Sequence, residues 1–254
     1  MNSLRRVFGF FTVLPFACAG TLEETARASF LLPAVGAALG ALEGLAGWGS
    51  RQLFGLPVAA ATTLAAALLL TGFHHADGLA DVGDALMVHG DAARRIEVIK
   101  DRSLGTGAAG ALILTYLLSW SALIGLLGWR DPGAWMVAAL IVVEISARLS
   151  LFTVAAFSKP SHEGSGKIFL EELRGWRIIT GVLLSIAVLA VLQPVLPVSG
   201  MLASGGAALA AGLMLAATGR FRFGGAGGDL LGAAVELGRA AALLGLIAVL
   251  INYS

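Results

Sequence analysis

Residues 133–157 read GAWMVAALIVVEISARLSLFTVAAF, an apolar run broken only by the charged pair Glu144 and Arg148. At 1.5 Å of rise per residue, about 20 helical residues cross a hydrocarbon core of about 30 Å, so this run spans a bilayer as one helix. Glu144 and Arg148 stand at i and i+4, one helical turn apart, where each lowers the cost of the other in lipid. Arg148 lies toward the end of the run, from which it can also reach an anionic substrate. A chain that carries such a segment satisfies its backbone inside the segment, and that points to a helical bundle.

Comparable runs flank it at about 28 to 49, 56 to 73, 104 to 128, 177 to 195, 197 to 218 and 231 to 251. The fold class expected is therefore all-α, a polytopic membrane bundle of about seven transmembrane helices forming a single domain over residues 1–254. Composition agrees: 57% of the chain is hydrophobic and 13% charged, against roughly a quarter charged in soluble domains. The 34 glycines, scattered through apolar runs, suit closely packed helix faces in lipid. Near the start, Arg5 and Arg6 precede an apolar run from Val7 to Ala19. Pro15 and the aromatic Phe8, Phe10, Phe11 and Phe16 make it an interfacial segment rather than a signal peptide. The lone Cys18 excludes an internal disulfide. A net charge of +1, with no basic patch, argues against nucleic acid as a partner.

Arginine and lysine are distributed unevenly over alternate loops. One side holds Arg5, Arg6, Arg27, Arg94, Arg95, Lys100, Arg102, Lys159, Lys167, Arg174, Arg177, Arg220 and Arg222, and the other only Arg51 and Arg130. By the positive-inside rule the first side is cytoplasmic, in a multi-pass protein of the cell membrane. Nearly all the acids outside the spans fall on that side too, with Asp131 the exception. Polar chemistry gathered at one face suits an enzyme acting on cytoplasmic substrates, whereas a conduit needs polar groups at both mouths and the midplane.

The richest part of that face is residues 72–107, GFHHADGLADVGDALMVHGDAARRIEVIKDRSLGTG, with six carboxylates, four cations and three of the four histidines. If it is helical, Asp77, Asp81 and Asp84 at i, i+4 and i+7 share a face within roughly 60° of arc. Three such anions repel unless protonated or bridged by cations. Hard oxygen ligands favour Mg²⁺, with Mn²⁺ as a substitute, and Mg²⁺ completes its shell with water and substrate phosphate. A solvated acidic turn has the same spacing. Zinc is disfavoured because no Cys or His cluster accompanies His74 and His75, which suit hydrogen-bonding or substrate-contact roles. Downstream, Arg94, Arg95, Lys100, Asp101 and Arg102 precede Gly105 and Gly107. Cations beside a metal site are what a pyrophosphate substrate needs, and a juxtamembrane cluster binding anionic lipid is the alternative.

Two further stretches carry candidate contacts. The loop 158–177 contains Gly164-Ser-Gly166-Lys167, a weak likeness of a phosphate-cradling turn, followed by an amphipathic run. Gly224-Gly225-Ala-Gly227-Gly228-Asp229 lets backbone N–H groups approach a ligand, with Asp229 either an acid of the site or the N-cap of the last helix. Glu236 and Arg239 repeat the intramembrane pair at i and i+3.

At these residues the chain resembles the cobalamin synthase (adenosylcobinamide-GDP ribazoletransferase) family. The resemblance rests on His75-Ala-Asp77-Gly-Leu-Ala-Asp81-Val-Gly-Asp84, His89-Gly90, Lys100-Asp101 with Gly105 and Gly107, and Gly227-Gly-Asp229 with Gly232 and Glu236. A weaker echo is Phe11-Thr-Val-Leu-Pro15. Ala76, Ala85 and Leu230 depart from the family's pattern without removing a carboxylate. The resemblance implies magnesium-dependent transfer of the cobinamide phosphoryl group from adenosylcobinamide-GDP to α-ribazole or α-ribazole 5′-phosphate, with release of GMP. Asp77, Asp81 and Asp84 would then hold one or two Mg²⁺, and one of them or Asp229 would accept the proton of the attacking hydroxyl. His75, Lys100, Asp101, Arg102, Gly105, Gly107, Arg148, Lys167 and Gly227 are the expected substrate contacts. Two alternatives fit less of the chain. A CDP-alcohol phosphotransferase would carry Ala-Arg where Ala80-Asp81 stands, and a cation-coupled transporter would show related halves meeting at the midplane.

Overall fold

The computed structural model describes residues 2–16, 20–101, 103–129 and 133–251. Cys18, Arg102, Arg130 and Asp131, which entered the reading above, lie outside them. Twelve α-helices account for most of the described residues: α1 (Asn2–Phe11), α2 (Leu22–Ala28), α3 (Leu32–Leu53), α4 (Leu56–Leu70), α5 (His74–Met87), α6 (Ala92–Ile99), α7 (Thr106–Trp129), α8 (Gly133–Phe157), α9 (Ser165–Glu172), α10 (Trp176–Leu192), α11 (Val198–Thr218) and α12 (Gly228–Leu250). Pairing between strands is limited, among the described residues, to one isolated parallel bridge between Pro160 and Ala226. The all-α polytopic bundle expected from the sequence is the architecture found.

The run 133–157 becomes α8 with the same bounds, and it is the axis of the bundle. It is buried along almost its whole length, because α3, α11 and α12 all pack around it. Small residues allow the close approach. A Cβ on Gly40 would come within 2.6 Å of the Ile141 backbone, and one on Gly212 within 2.7 Å of the Ser150 carbonyl.

The expected count of about seven is reached when two bent helix pairs are each taken as one span. Five continuous helical segments are long and apolar enough to cross a membrane, and two more arise only if sharply bent pairs are each counted as one span. The run expected at 56 to 73 ends as α4 at Leu70, and the chain then turns through 93° into α5. Gly72 and Phe73 both take positive φ, 59° each. That conformation is easy for glycine and strained for phenylalanine. Likewise α9 meets α10 at 81° across Gly175, whose φ is +54°. Hydropathy sums apolar residues without seeing left-handed turns, so the run expected at 56 to 73 took in the turn at Gly72 and Phe73.

The two ends of the bundle differ. At one end the helices join through short links, α3 to α4 and α10 to α11, and Trp129 there donates through Nε1 to the Leu250 carbonyl at 3.1 Å. At the other end lie α1, α2, α5, α6 and α9 with the first turns of α7 and α12. Here α5 packs mainly on α12 and α7. The polar residues 72–107 and 224–229 therefore share one end.

Candidate functional site

The site forms where α5 crosses the beginnings of α12 and α7, and glycines set both crossings. A Cβ on Gly78 would come within 2.6 Å of the Asp229 carbonyl, and one on Gly83 within 2.7 Å of Ala111 Cβ. Only hydrogen at those positions lets α5 lie directly on its neighbours. Its far end is tied by Arg95, which is buried and donates through Nη1 to the carbonyls of Ala85 at 2.6 Å and Leu86 at 3.1 Å. A guanidinium at a helix C-terminus satisfies unpaired carbonyls and favours the dipole.

The carboxylates then divide. Asp84 is occupied: Oδ2 accepts from the Gly105 amide at 2.7 Å and Oδ1 from the Ala108 amide at 2.8 Å. It caps the N-terminus of α7 from a different helix. Gly105 supplies one of those amides. Gly107 gives room, since a Cβ there would sit 2.6 Å from the Gly83 carbonyl. The structure thus gives this glycine pair a joining role.

Asp77, Asp81 and Asp229 remain without cationic partners among the described salt bridges. Asp81 is half-buried, and burial first, then the charges of Asp229, Asp77 and Asp84, push its carboxyl up to about 7. Among the described residues no group of three or more His, Cys, Asp or Glu side chains converges tightly enough to cage a metal. Seven residues of helix separate Asp77 from Asp84 by about 10 Å of rise, and Asp84 is turned to amides. What exists is an electrostatically coupled set shared between α5 and α12.

A third wall comes from the loop before α9. The Ala226 amide donates to the Lys159 carbonyl at 2.8 Å, and the Ser161 amide to the Ala226 carbonyl at 2.9 Å, stitching that loop to the glycine turn. This brings in His162, a residue the sequence reading passed over. Ser161 Oγ and His162 Nδ1 lie 2.9 Å apart, and a Cβ on Gly227 would come within 2.6 Å of the imidazole. Burial and the nearby Lys100 lower the histidine's pKa, while Asp229 opposes them. It is thus a neutral ring between a cation and an acid of the site. Its only sequence signal was a histidine in the same loop as the Gly-Ser-Gly turn.

Other expected contacts are distributed more widely. Lys100 ends α6 and is exposed, and Asp101 accepts from the Ser103 amide at 3.1 Å. Lys167 pairs with Glu163 at 2.6 Å on the surface of α9. Arg148 is 1% exposed and bound to Glu144 inside the bundle, where its charge acts on His75. Glu144 also bonds Arg239, which reaches Glu236 at 2.6 Å. With Glu43 of α3 these make a buried network of three acids and two arginines, of which the sequence reading had seen two separate pairs and not Glu43. Arg102 lies outside the described residues.

His75 and Asp77 open onto a cavity of about 240 Å³ bounded by α1, α5, α9 and α12. Its walls include Phe10, Phe11 and Phe169, and Asp229 lies at its edge with Asp77. The N-terminal helix, expected at an interface, thus contributes to the site.

A protein-family model described as cobalamin-5-phosphate synthase matches residues 3–247. Curated relatives named adenosylcobinamide-GDP ribazoletransferase include one from Methanosarcina mazei, 30% identical over 97% of this chain and 91% of its own. Those from Halorubrum lacusprofundi and Pyrobaculum islandicum are 34% and 36% identical, covering 96% and 94% of this chain and 95% and 92% of theirs. No solved structure matches. With the aspartate helix, the glycine turn and the full-length match in agreement, the chain belongs to the cobalamin-5-phosphate synthase family, a family of transferases in cobalamin biosynthesis.

Proposed function

We propose that this transferase moves the adenosylcobinamide phosphoryl group from adenosylcobinamide-GDP to α-ribazole or its 5′-phosphate, with Mg²⁺, at the cytoplasmic face of the cell membrane. The observation that carries the reading is the set Asp77, Asp81 and Asp229, without ion-pair partners among the described residues, at one end of a bundle whose interior acids are largely paired. An acid pushed up to about 7 by burial first and then by its neighbours' charge is a site short of a cation. Mg²⁺ is commonly held by one or two carboxylates with water and phosphate oxygens, so an all-protein cage is not required. Asp77 and Asp81, with Asp229 opposite, fit that pattern, and Asp84 serves by fixing α7 against α5. Bound there, the ion would supply charge for the pyrophosphate and polarise the phosphorus.

The residues supply the remainder. The hydroxyl oxygen of the riboside bonds to the cobinamide-side phosphorus, the bond to the GMP oxygen breaks, and the hydroxyl proton passes to a carboxylate of the site. Asp229 is suited to accept it, since it begins α12 between His162 and Asp77 and borders the cavity. Lys100 and His162, on the same side, provide a cation and a hydrogen-bonding ring for phosphate oxygens.

The test is GMP release by purified protein in liposomes given adenosylcobinamide-GDP and α-ribazole 5′-phosphate, with Mg²⁺, with Mn²⁺ and then with EDTA. Metal-dependent GMP matched by a cobamide product is expected, and its absence from a well-folded sample refutes the reading. Orientation is tested separately: a reporter fused after Arg95 is expected inside the cell, and one near Arg130 outside.

A further inference from the structure

A cavity of about 240 Å³ lies beside the acids. Its walls are unlike a phosphate site. Phe10 and Phe169 have ring centroids 5.2 Å apart, Phe11 and Phe169 5.7 Å, and Phe11 lies roughly parallel to the His75 imidazole, 24° between planes at 6.3 Å. Edge-to-face and offset arrangements of this kind leave flat faces on which another aromatic ring packs. The cavity's polar side chains are Asp77 and Asp229, which sit with the catalytic set, and His74, His75 and Ser165 on the walls. His75 is only 6% exposed, and its Nδ1 has no hydrogen-bond partner among the described residues. A buried ring nitrogen without a partner is costly unless a ligand completes it.

Resting on the proposed function, we infer that this cavity is the subsite for the heteroaromatic base of the acceptor nucleoside, with Phe10, Phe11 and Phe169 as its stacking walls and His75 facing the base's ring nitrogen. The two substrates differ in the chemistry they would bring here. The benzimidazole of a ribazole is flat, largely apolar and has one free ring nitrogen as acceptor. Guanine carries several donors and acceptors on its edge, and the aromatic walls offer them little. The corrin macrocycle is too large for a cavity of about 240 Å³. A base held here would direct its ribose toward Asp77 and Asp229, which the reaction requires of the attacking hydroxyl.

The test measures KM for each substrate separately in Phe169→Ala, Phe169→Tyr and His75→Phe, together with inhibition by 5,6-dimethylbenzimidazole, the ring alone. Loss of one aromatic face is expected to raise the acceptor KM about tenfold in Phe169→Ala, the scale of losing one stacking partner from a base, with the KM for adenosylcobinamide-GDP within about twofold of wild type. Phe169→Tyr, which keeps the ring, is expected to restore the acceptor KM and serves as the folded control. The His75→Phe variant keeps an aromatic wall and removes the nitrogen, so a smaller rise is expected. The free ring is expected to compete with the acceptor and not with the donor. A rise confined to the donor KM, or competition against the donor, reassigns the cavity and overturns the inference while leaving the function intact. Unchanged KM values in folded variants overturn it too. Absence of product from wild-type protein removes the proposed function first and the subsite with it.

Discussion

The protein holds acids in two settings, and the contrast between them separates structure from chemistry. Inside the bundle, Glu144 is bound by both Arg148 and Arg239, and Arg239 holds Glu236. At the polar end, Asp77, Asp81 and Asp229 act on one another electrostatically, with no ion pair to a guanidinium among the described residues. The interior network binds α8 to α12 and is largely neutralised. The set at the end is left in mutual repulsion, which a folded chain tolerates where a ligand is meant to relieve it.

The largest effect is expected from the unpaired set. Asp81→Asn is expected to lower GMP release by about 10²–10³-fold or more, the scale of removing one preorganised electrostatic group, without loss of membrane insertion. Stability is expected to move the other way. A carboxyl whose folded pKa is raised favours the fold while protonated and opposes it progressively as pH rises from its unfolded value through about 7. In EDTA, wild type is thus expected to melt higher at pH 6 than at pH 8 by this contribution, and Asp81→Asn to flatten the difference. An Asn variant that melts lower at pH 8 would mean that Asp81 is a structural acid like Glu144.

The second effect tests the other half. Glu144→Ala strands the buried Arg148 guanidinium, takes one of Arg239's two carboxylate partners and is expected to cost about 3–5 kcal/mol. At about 2–4 °C per kcal/mol for a chain of this size, the melting temperature in detergent falls by roughly 10 °C. Activity per folded molecule is expected to stay close to wild type, the reverse of Asp81→Asn. A stable but inactive Glu144→Ala would move the interior network into the site.

How far the sequence carried this division depends on the range of each interaction. Apolar length and the Asp77, Asp81, Asp84 spacing are local, and they gave the helices and the segment that bears the chemistry. The turn at Phe73, Asp84 capping α7, and the arrival of Glu43, His162 and Phe169 depend on contacts between residues far apart in the chain. Arg148 shows the limit: its i, i+4 partner was legible, but its complete burial and its sharing of Glu144 with Arg239 required the packing of α3, α8 and α12.

A smaller effect probes the crossing that brings the unpaired acids together. Gly78→Ala puts a methyl 2.6 Å from the Asp229 carbonyl. Overpacking of this kind costs about 1–3 kcal/mol, and displacement of α5 from α12 is expected to lower the rate about tenfold, read as kcat against the KM values. An unchanged kcat would mean that Asp77 and Asp229 need not be held at this separation.

The smallest difference lies between two adjacent residues that the sequence grouped in one cationic cluster. Arg94 is exposed and pairs with Glu97 at 2.9 Å, three residues on, an arrangement worth about 0–1 kcal/mol. Arg95, next to it, is buried and closes the end of α5 through two carbonyls. Arg94→Ala is therefore expected to leave the melting temperature within about 2 °C of wild type. Arg95→Ala, which leaves buried carbonyls unpaired at about 1–3 kcal/mol, is expected to lower it by several degrees at the same scale per kcal/mol. If instead Arg94→Ala raises the KM for adenosylcobinamide-GDP while Arg95→Ala leaves stability unchanged, the grouping made from sequence describes the site better than the pairing does. The cation that α6 gives to phosphate would then be Arg94, and Lys100 would lose its place beside His162.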